Sequence, residues 1–115
     1  MANPVIHFEI SGSDAAGLQK FYGELFEWNV DANNPMNYGM VAASEGGIGG
    51  GIGGTQDGNP QVTFYVGVDD LQAALDRAVA LGGSVAVPPM DIPDGPSIAQ
   101  FADPAGNRVG LVKGM

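Results

Sequence analysis

Two segments of the chain share one pattern, and the second begins 56 residues after the first. His7–Asp14 and Thr63–Asp70 each have the composition of a short strand, a turn and an acidic helix start, and each is followed by helical and then strand residues. Since the chain has 115 residues, each repeat takes about half of it. Two similar halves predict a fold of two matching βα modules. Small ligands usually bind in the space that such modules share.

The length and composition restrict the class of protein. A chain of 115 residues predicts a single domain, 1–115, in which module one spans about 1–55, a linker 56–60 and module two about 61–115. The formal net charge of −9 argues against nucleic acid or a membrane surface as a partner. The absence of cysteine excludes disulfides and thiolate metal sites. With no signal-peptide pattern and no membrane-spanning apolar stretch, we expect a soluble, cytoplasmic protein.

The first module is predicted as a strand, a helix and three further strands. Alternation in Val5–Ile10 places His7 and Glu9 side by side on one face, opposite the apolar side chains. Ser13 or Asp14 can cap a helix that runs to about Phe26 and has one broad apolar face. The further strands are predicted at Trp28–Val30, Tyr38–Ala43 and Gly46–Gly54.

The second module repeats this plan. Thr63 and Tyr65 share one face of its first strand. Asp69 or Asp70 caps a helix through Ala80, which Gly82 and Gly83 terminate. The side chains predicted on the buried side of this helix are Leu71, Ala74, Leu75, Ala78 and Leu81. The remaining segments are predicted as a strand at Ser84–Val87, a long proline-rich loop at Pro88–Pro96, and a hairpin of Ile98–Ala102 with Arg108–Val112.

The run Gly46–Gly54 contains only glycine and two isoleucines. A phosphate-binding loop would end in Gly-Lys-Ser/Thr and lead into a helix, and neither feature is present. The missing side chains would instead widen a ligand cavity or let a neighbouring chain approach closely.

These elements together resemble the vicinal oxygen chelate superfamily, which includes glyoxalase I, extradiol dioxygenases and bleomycin-resistance proteins. The resemblance covers essentially the whole chain, and it implies an α+β fold of paired βαβββ modules that form a curled mixed sheet around a cup, usually in a homodimer. The segments that carry it are Val5–Ile10, Phe21-Tyr22 with Leu25–Trp28, Val66–Leu71, Leu81–Gly83 and Asp103–Asn107.

Metal enzymes of this superfamily hold a divalent ion with His or Glu side chains from strands of both modules. The first-strand ligand falls on His7, but the positions near Thr63 and Gly110 and the run Gly46–Gly54 offer no His or Glu. One ligand is too few for Mg²⁺ or Zn²⁺. We therefore predict that the standard metal site is absent and expect no cofactor. A divalent metal at His7, with Glu9 reaching into the same cup, is the alternative.

The candidate site residues are His7 and Glu9 for acid/base chemistry, with Thr63, Tyr65 and Arg108 for ligand binding. All five are predicted to face the same interior. Each has a simpler interpretation as well: His7 as a satisfied interior histidine, and Glu9 and Arg108 as a mutual ion pair.

The first functional hypothesis is a protein that binds a small organic molecule in its cup. The second is a metal-dependent lyase or isomerase of glyoxalase type, acting on an enolisable or vicinal-dioxygen substrate. The third is a resistance protein that sequesters a cationic drug, attracted by the acidic surface. The fourth is a partner-binding module whose cup is filled by its own side chains.

Overall fold

The computed structural model describes residues 2–55 and 57–114. Gln56, the first residue of the predicted linker, lies outside the described residues, as do Met1 and Met115. The described chain divides into two compact units, one within residues 7–63 and one formed by residues 2–6 with 64–114. We describe each unit by itself.

The unit within residues 7–63 contains one helix packed with a small mixed sheet. Its strands follow the order β2-β3-β4-β1, because β1 pairs parallel with β4 while β3 pairs antiparallel with both β4 and β2. The register of β1 and β4 places Glu9 opposite Gly51. The elements are β1 (Val5–Gly12), of which residues 7–12 belong to this unit, α1 (Ala15–Phe26), β2 (Val30–Asp31), β3 (Gly39–Val41) and β4 (Gly49–Gly54).

The other unit repeats this topology. Its strands follow the order β6-β7-β8-β5, because β5 pairs parallel with β8 while β7 pairs antiparallel with both β8 and β6. The elements are β5 (Gln61–Gly67), of which residues 64–67 belong to this unit, α2 (Leu71–Ala80), β6 (Ser84–Asp91), β7 (Ser97–Ala102) and β8 (Arg108–Lys113). Two βαβββ modules of the same connectivity confirm the predicted α+β fold class.

Each helix is capped by one of the two residues predicted for that role, Asp14 rather than Ser13 and Asp70 rather than Asp69. The Asp14 side chain accepts a hydrogen bond from the backbone N–H of Gly17, and Asp70 accepts one from Ala73, each at 3.0 Å. These bonds satisfy amides that have no partner within the helix. At the far end of α2, Gly82 has a φ of +105°, a left-handed conformation that glycine adopts without strain.

The apolar face of α2 is buried against its sheet. Leu71 and Leu75 pack with Ala99 of β7 and Leu111 of β8 to form the core of this unit. The prediction that Leu81 is buried is wrong, since 65% of its surface is exposed. Leu81 follows the last residue of the helix, where the chain turns away towards Gly82.

The apolar face of α1 behaves differently, because none of its residues is buried. Phe21, Leu25 and Phe26 each remain more than half exposed, at 57%, 57% and 52%. Their helical spacing is that of a buried face. The face nevertheless stays largely accessible in this chain.

The predicted loop Pro88–Pro96 is wrong in its first half. The strand β6 continues through Pro88 and Pro89 to Asp91, and the turn lies between Asp91 and Ser97. Proline has no N–H to donate to a strand ladder, so within sheets it is confined to edges and bulges. β6 is an edge strand, and its register with β7 shifts between Val85 and Val87 and again before Met90.

The first strand of module one runs two residues beyond the predicted Val5–Ile10, whereas its later strands are shorter or start later than predicted. β2 is Val30–Asp31, β3 is Gly39–Val41 and β4 begins only at Gly49. Tyr38 therefore lies in the loop before β3 rather than in a strand. In the part of the chain that the structure describes, no helix has the length and apolarity needed to cross a membrane.

Candidate functional site

His7, Tyr38 and Glu9 form a hydrogen-bonded triad within the unit of residues 7–63. The Tyr38 hydroxyl lies 2.9 Å from His7 Nε2 and 2.9 Å from Glu9 Oε2. His7 is only 6% exposed, and Glu9 and Tyr38 are partly buried. The alternation of β1 explains why the histidine and the carboxylate share a face. Tyr38 then joins them from a separate segment of the chain.

The protonation pattern of the triad follows from its donors and acceptors. As a carboxylate, Glu9 can only accept, so the Tyr38 hydroxyl donates to it. The phenol has a single proton, so its oxygen accepts from His7, whose ring then carries its proton on Nε2. Burial lowers the pKa of His7 below its ordinary value, which favours the neutral ring at pH 7. The order of donation is therefore His7, Tyr38, Glu9.

The Tyr38 ring rests against glycines of β4. A Cβ added at Gly51 would lie 1.9 Å from both Cζ and Oη of Tyr38, and one added at Gly53 would lie 2.8 Å from Cδ1. Since real Cβ atoms essentially never approach a neighbour that closely, only glycine leaves room for this ring. We expected the missing side chains to widen a ligand cavity, and at Gly51 and Gly53 this is wrong. The space that the two glycines leave is filled by the Tyr38 ring.

A second polar cluster lies in the other unit. Arg108 Nη2 donates to Gln100 Oε1 at 3.0 Å, and Gln100 Nε2 donates to the Tyr65 hydroxyl at 2.9 Å. Gln100 and Tyr65 are buried, at 8% and 4% exposed. The Tyr65 ring again lies over a glycine, since a Cβ on Gly110 would be 2.3 Å from its Cδ2. In each module, a tyrosine ring thus packs against a glycine of a neighbouring strand.

The structure groups the predicted site residues into these two clusters. His7 and Glu9 meet through Tyr38, and Tyr65 and Arg108 meet through Gln100. Thr63 is buried, at 7% exposed, and belongs to the unit within residues 7–63. That all five predicted residues face one cup stays a prediction.

Sequence reasoning missed the residue at the centre of each cluster. Gln100 carried a usable signal, because it is the only strongly polar side chain in the apolar strand Ile98–Ala102. Tyr38 carried none, because it lies in a loop, 29 residues beyond Glu9. Its contact with β4 depends on how β3 and β4 pair.

The donors at this site do not fit the metal ion of the superfamily. Within residues 2–55 and 57–114, no group of three or more His, Cys, Asp or Glu side chains is placed to hold a metal. The superfamily pattern requires ligands near Gly110 and in the run that includes Gly51, and both glycines accommodate tyrosine rings instead. The predicted metal contact of His7 is not confirmed, and we derive no chemistry through such an ion.

A cavity of about 410 Å³ lies elsewhere, beside α2 in the unit of residues 2–6 and 64–114. Its walls are mainly apolar side chains of β5, α2 and β7, including Val66, Ala78 and Phe101. None of the predicted site residues lines it.

The fold is that of an α+β protein with repeated βαβββ modules. Comparison with known proteins identifies the family to which the chain belongs. The model of the glyoxalase-like domain family matches residues 7–112. The chain belongs to this family, which confirms the resemblance to the glyoxalase, bleomycin-resistance and dioxygenase superfamily.

The relatives found by sequence are longer proteins. CFP32 of Mycobacterium tuberculosis, whose name suggests a glyoxylase, is 33% identical over 112 residues, which are 90% of this chain and 42% of that protein. The chain therefore spans less than half the length of the relatives that it matches.

Solved structures share the fold at low identity. A glyoxalase/bleomycin resistance protein/dioxygenase superfamily member from Vibrio splendidus superposes with a TM-score of 0.63 at 16% identity, over 98% of this chain and 100% of that one. Methylmalonyl-CoA epimerase from Mycobacterium tuberculosis superposes with a TM-score of 0.67 at 14% identity, over 96% and 87% of the two chains. At this identity the likeness concerns the fold alone.

Proposed function

We propose that this protein binds a small organic molecule and that it does so without the standard metal centre of its superfamily. The observation that carries the proposal is the triad of His7, Tyr38 and Glu9, in which a phenol joins an imidazole to a carboxylate at 2.9 Å on each side. A buried histidine with a fixed tautomer is a specific hydrogen-bonding group for a ligand.

The triad also supports acid/base chemistry on a bound ligand. In the neutral His7 ring, whose Nε2 proton is donated to Tyr38, Nδ1 is the basic nitrogen, and the Glu9 carboxylate stabilises a proton gained by the ring through the Tyr38 hydroxyl. A lowered pKa keeps the imidazole unprotonated and ready to act as a base at neutral pH.

A lyase or isomerase of glyoxalase type is the second candidate, because a relative at 33% identity has a name that suggests a glyoxylase. The two candidates use the same residues and differ in turnover. A binder leaves an enolisable vicinal-dioxygen compound intact, whereas an isomerase or lyase converts it or exchanges its α-hydrogen with D₂O.

Sequestration of a cationic drug is the third candidate, and the formal charge of −9 is the feature that favours it. Binding of this kind weakens as salt screens the surface charges. A bleomycin-type glycopeptide that binds at 50 mM and at 500 mM NaCl with the same affinity would exclude this candidate.

The first experiment measures metal content and ligand contact on the same sample. The protein is purified without chelator or affinity tag, analysed for metal by mass spectrometry, and titrated with α-hydroxy ketones and catechols while the ring signals of His7 are followed by NMR. Because His7 is the only histidine, its signals need no further assignment. We expect substoichiometric metal and perturbed His7 signals.

Two variants complete this experiment. Glu9→Gln should weaken the response of His7 to the ligand, whereas Glu45→Gln, an exposed turn carboxylate, should not. Stoichiometric metal that disappears in His7→Ala would refute the metal-free proposal and favour the lyase or isomerase. No metal and no ligand response would favour the partner-binding module instead.

A homodimer and a cytoplasmic location are part of the same proposal. The exposed apolar side chains of α1, Phe21, Leu25 and Phe26, support an interface with a second copy, since a contiguous apolar patch is typical of interaction sites. Sedimentation equilibrium should give the mass of a dimer for the wild type and of a monomer for Leu25→Glu.

A further inference from the structure

The side chain of Asn34 forms hydrogen bonds with both polar groups of the Tyr38 backbone. The Asn34 Oδ1 atom accepts the N–H of Tyr38 at 2.9 Å, and its Nδ2 atom donates to the carbonyl oxygen of Tyr38 at 2.7 Å. One side-chain amide thus satisfies both polar groups of the Tyr38 backbone. This is the pair of bonds that a neighbouring strand would supply.

A side chain of α1 also forms hydrogen bonds with the loop before β3 and with β4. Gln19 of α1 donates through Nε2 to the carbonyl oxygen of Asn37 at 3.0 Å and to that of Ile52 in β4 at 2.8 Å. Asn37 has a φ of +51°, in the left-handed region that asparagine tolerates better than most residues. The Tyr38 ring is supported by β4, and its backbone is supported by Asn34.

Tyr38 depends on the hydrogen bonds from Asn34 because of its position in the chain. Tyr65, the tyrosine of the other cluster, lies inside β5 and is opposite Gly110 in the ladder with β8. Tyr38 precedes β3 and takes no place in a ladder. Its hydroxyl must nevertheless stay within hydrogen-bond reach of both His7 and Glu9, and groups of this kind work only when held to about 0.5 Å.

We propose that Asn34 is a positioning residue that holds the Tyr38 hydroxyl between His7 and Glu9. The inference rests on the proposed function, because it assumes that the triad is the working part of the site. Asn34 itself acts through Tyr38 and need not touch the ligand.

The test follows the ring N–H of His7 by NMR in ¹⁵N-labelled protein. In the wild type, the Nε2–H proton that is hydrogen-bonded to Tyr38 should exchange slowly with water. Tyr38→Phe removes the acceptor, so exchange should become at least tenfold faster. Asn34→Ala should produce an increase of similar size although the tyrosine is still present.

Two further variants separate positioning from folding. Asn33→Ala is the matched control, because Asn33 is the exposed neighbour in the same loop and, among the hydrogen bonds of the described chain, only its backbone takes part. It should leave exchange unchanged. Asn34→Asp keeps the acceptor for the Tyr38 N–H and loses the donor, so it should give an intermediate increase even where Asn34→Ala folds poorly.

The outcomes distinguish the two proposals. If Tyr38→Phe does not change exchange at His7, the triad and the proposed function are wrong. If Tyr38→Phe accelerates exchange while Asn34→Ala and Asn34→Asp lower only the melting temperature, Asn34 has a purely structural role and this inference is overturned.

Discussion

Replacement of Gly51 by alanine directly tests the packing of the Tyr38 ring against β4. The added Cβ would lie 1.9 Å from the Cζ and Oη atoms of Tyr38 and 2.0 Å from Cε2. Gly51 is not among the glycines with a positive φ, so alanine fits the backbone, and the three atoms nearest to the added Cβ all belong to Tyr38. Because the Cβ overlaps the hydroxyl end of the ring, Tyr38 must move, and its hydroxyl then leaves His7 and Glu9.

The cost can be estimated from what the ring loses. The hydrogen bond between Tyr38 and His7 contributes about 1 kcal/mol, and the bond to the Glu9 carboxylate contributes roughly 1.5–3 kcal/mol. The general gain from replacing glycine by alanine offsets about 0.4–1 kcal/mol of this loss. We therefore expect Gly51→Ala to lower the free energy of unfolding by roughly 2–3 kcal/mol, a large part of the stability of a domain of this size.

The assay is urea unfolding at pH 7, followed by far-UV circular dichroism and by the fluorescence of the single Trp28. Gly54→Ala is the matched control, because it lies in the same strand and its added Cβ has no neighbour closer than 3.8 Å. The control should change the free energy by less than about 0.5 kcal/mol.

A double-mutant cycle assigns the cost to Tyr38. In the background of Tyr38→Ala the clash is absent, so Gly51→Ala should cost less than about 0.5 kcal/mol, and the coupling energy should be about 2 kcal/mol. Equal effects of Gly51→Ala and Gly54→Ala, or a cost of Gly51→Ala that persists without the Tyr38 ring, would refute the reasoning.

Three further predictions concern Gly110, His7 and Asp70. Gly110→Ala should lower the free energy of unfolding by about 2–3 kcal/mol, because its Cβ would lie 2.3 Å from Tyr65, and NMR should show the Gln100 side-chain amide released. Because burial lowers the folded-state pKa of His7 below 6.5, the unfolded chain binds more protons below that pH, so the wild type should lose more stability than His7→Gln on acidification from pH 7 to pH 5.5; equal losses in urea unfolding would contradict this. Asp70→Ala should cost about 1 kcal/mol in thermal unfolding through loss of the α2 cap, and Asp70→Asn should restore most of it.

Much of the fold was accessible from sequence, because the patterns involved are local. The repeat, both helices, the position of each cap to within one residue and the hairpin around Asp103–Asn107 follow from periodicity and turn residues within short windows. Alternation in β1 was enough to place His7 and Glu9 on one face. These features recur in the structure because each depends on neighbours close in the chain.

Prediction from the sequence failed where the local residue pattern conflicts with the pairing of strands. Pro88 and Pro89 read as loop residues, yet β6 runs through them because an edge strand with shifted register needs fewer of its own N–H groups. Conversely, Tyr38 read as a strand residue and lies in a loop, because β3 spans only Gly39–Val41.

The candidate site also has some features that follow from the sequence and others that follow only from the tertiary structure. The amino-acid sequence by itself determined that the chain has one histidine, with a carboxylate two residues further along the same strand. The tertiary structure alone decided that Tyr38 joins them, because its hydroxyl reaches β1 only when the pairing of β3 with β4 brings Gly51 beneath its ring. A side chain's local pattern specifies which way it points, whereas the partner that it meets is decided by strand pairing between segments far apart in the chain.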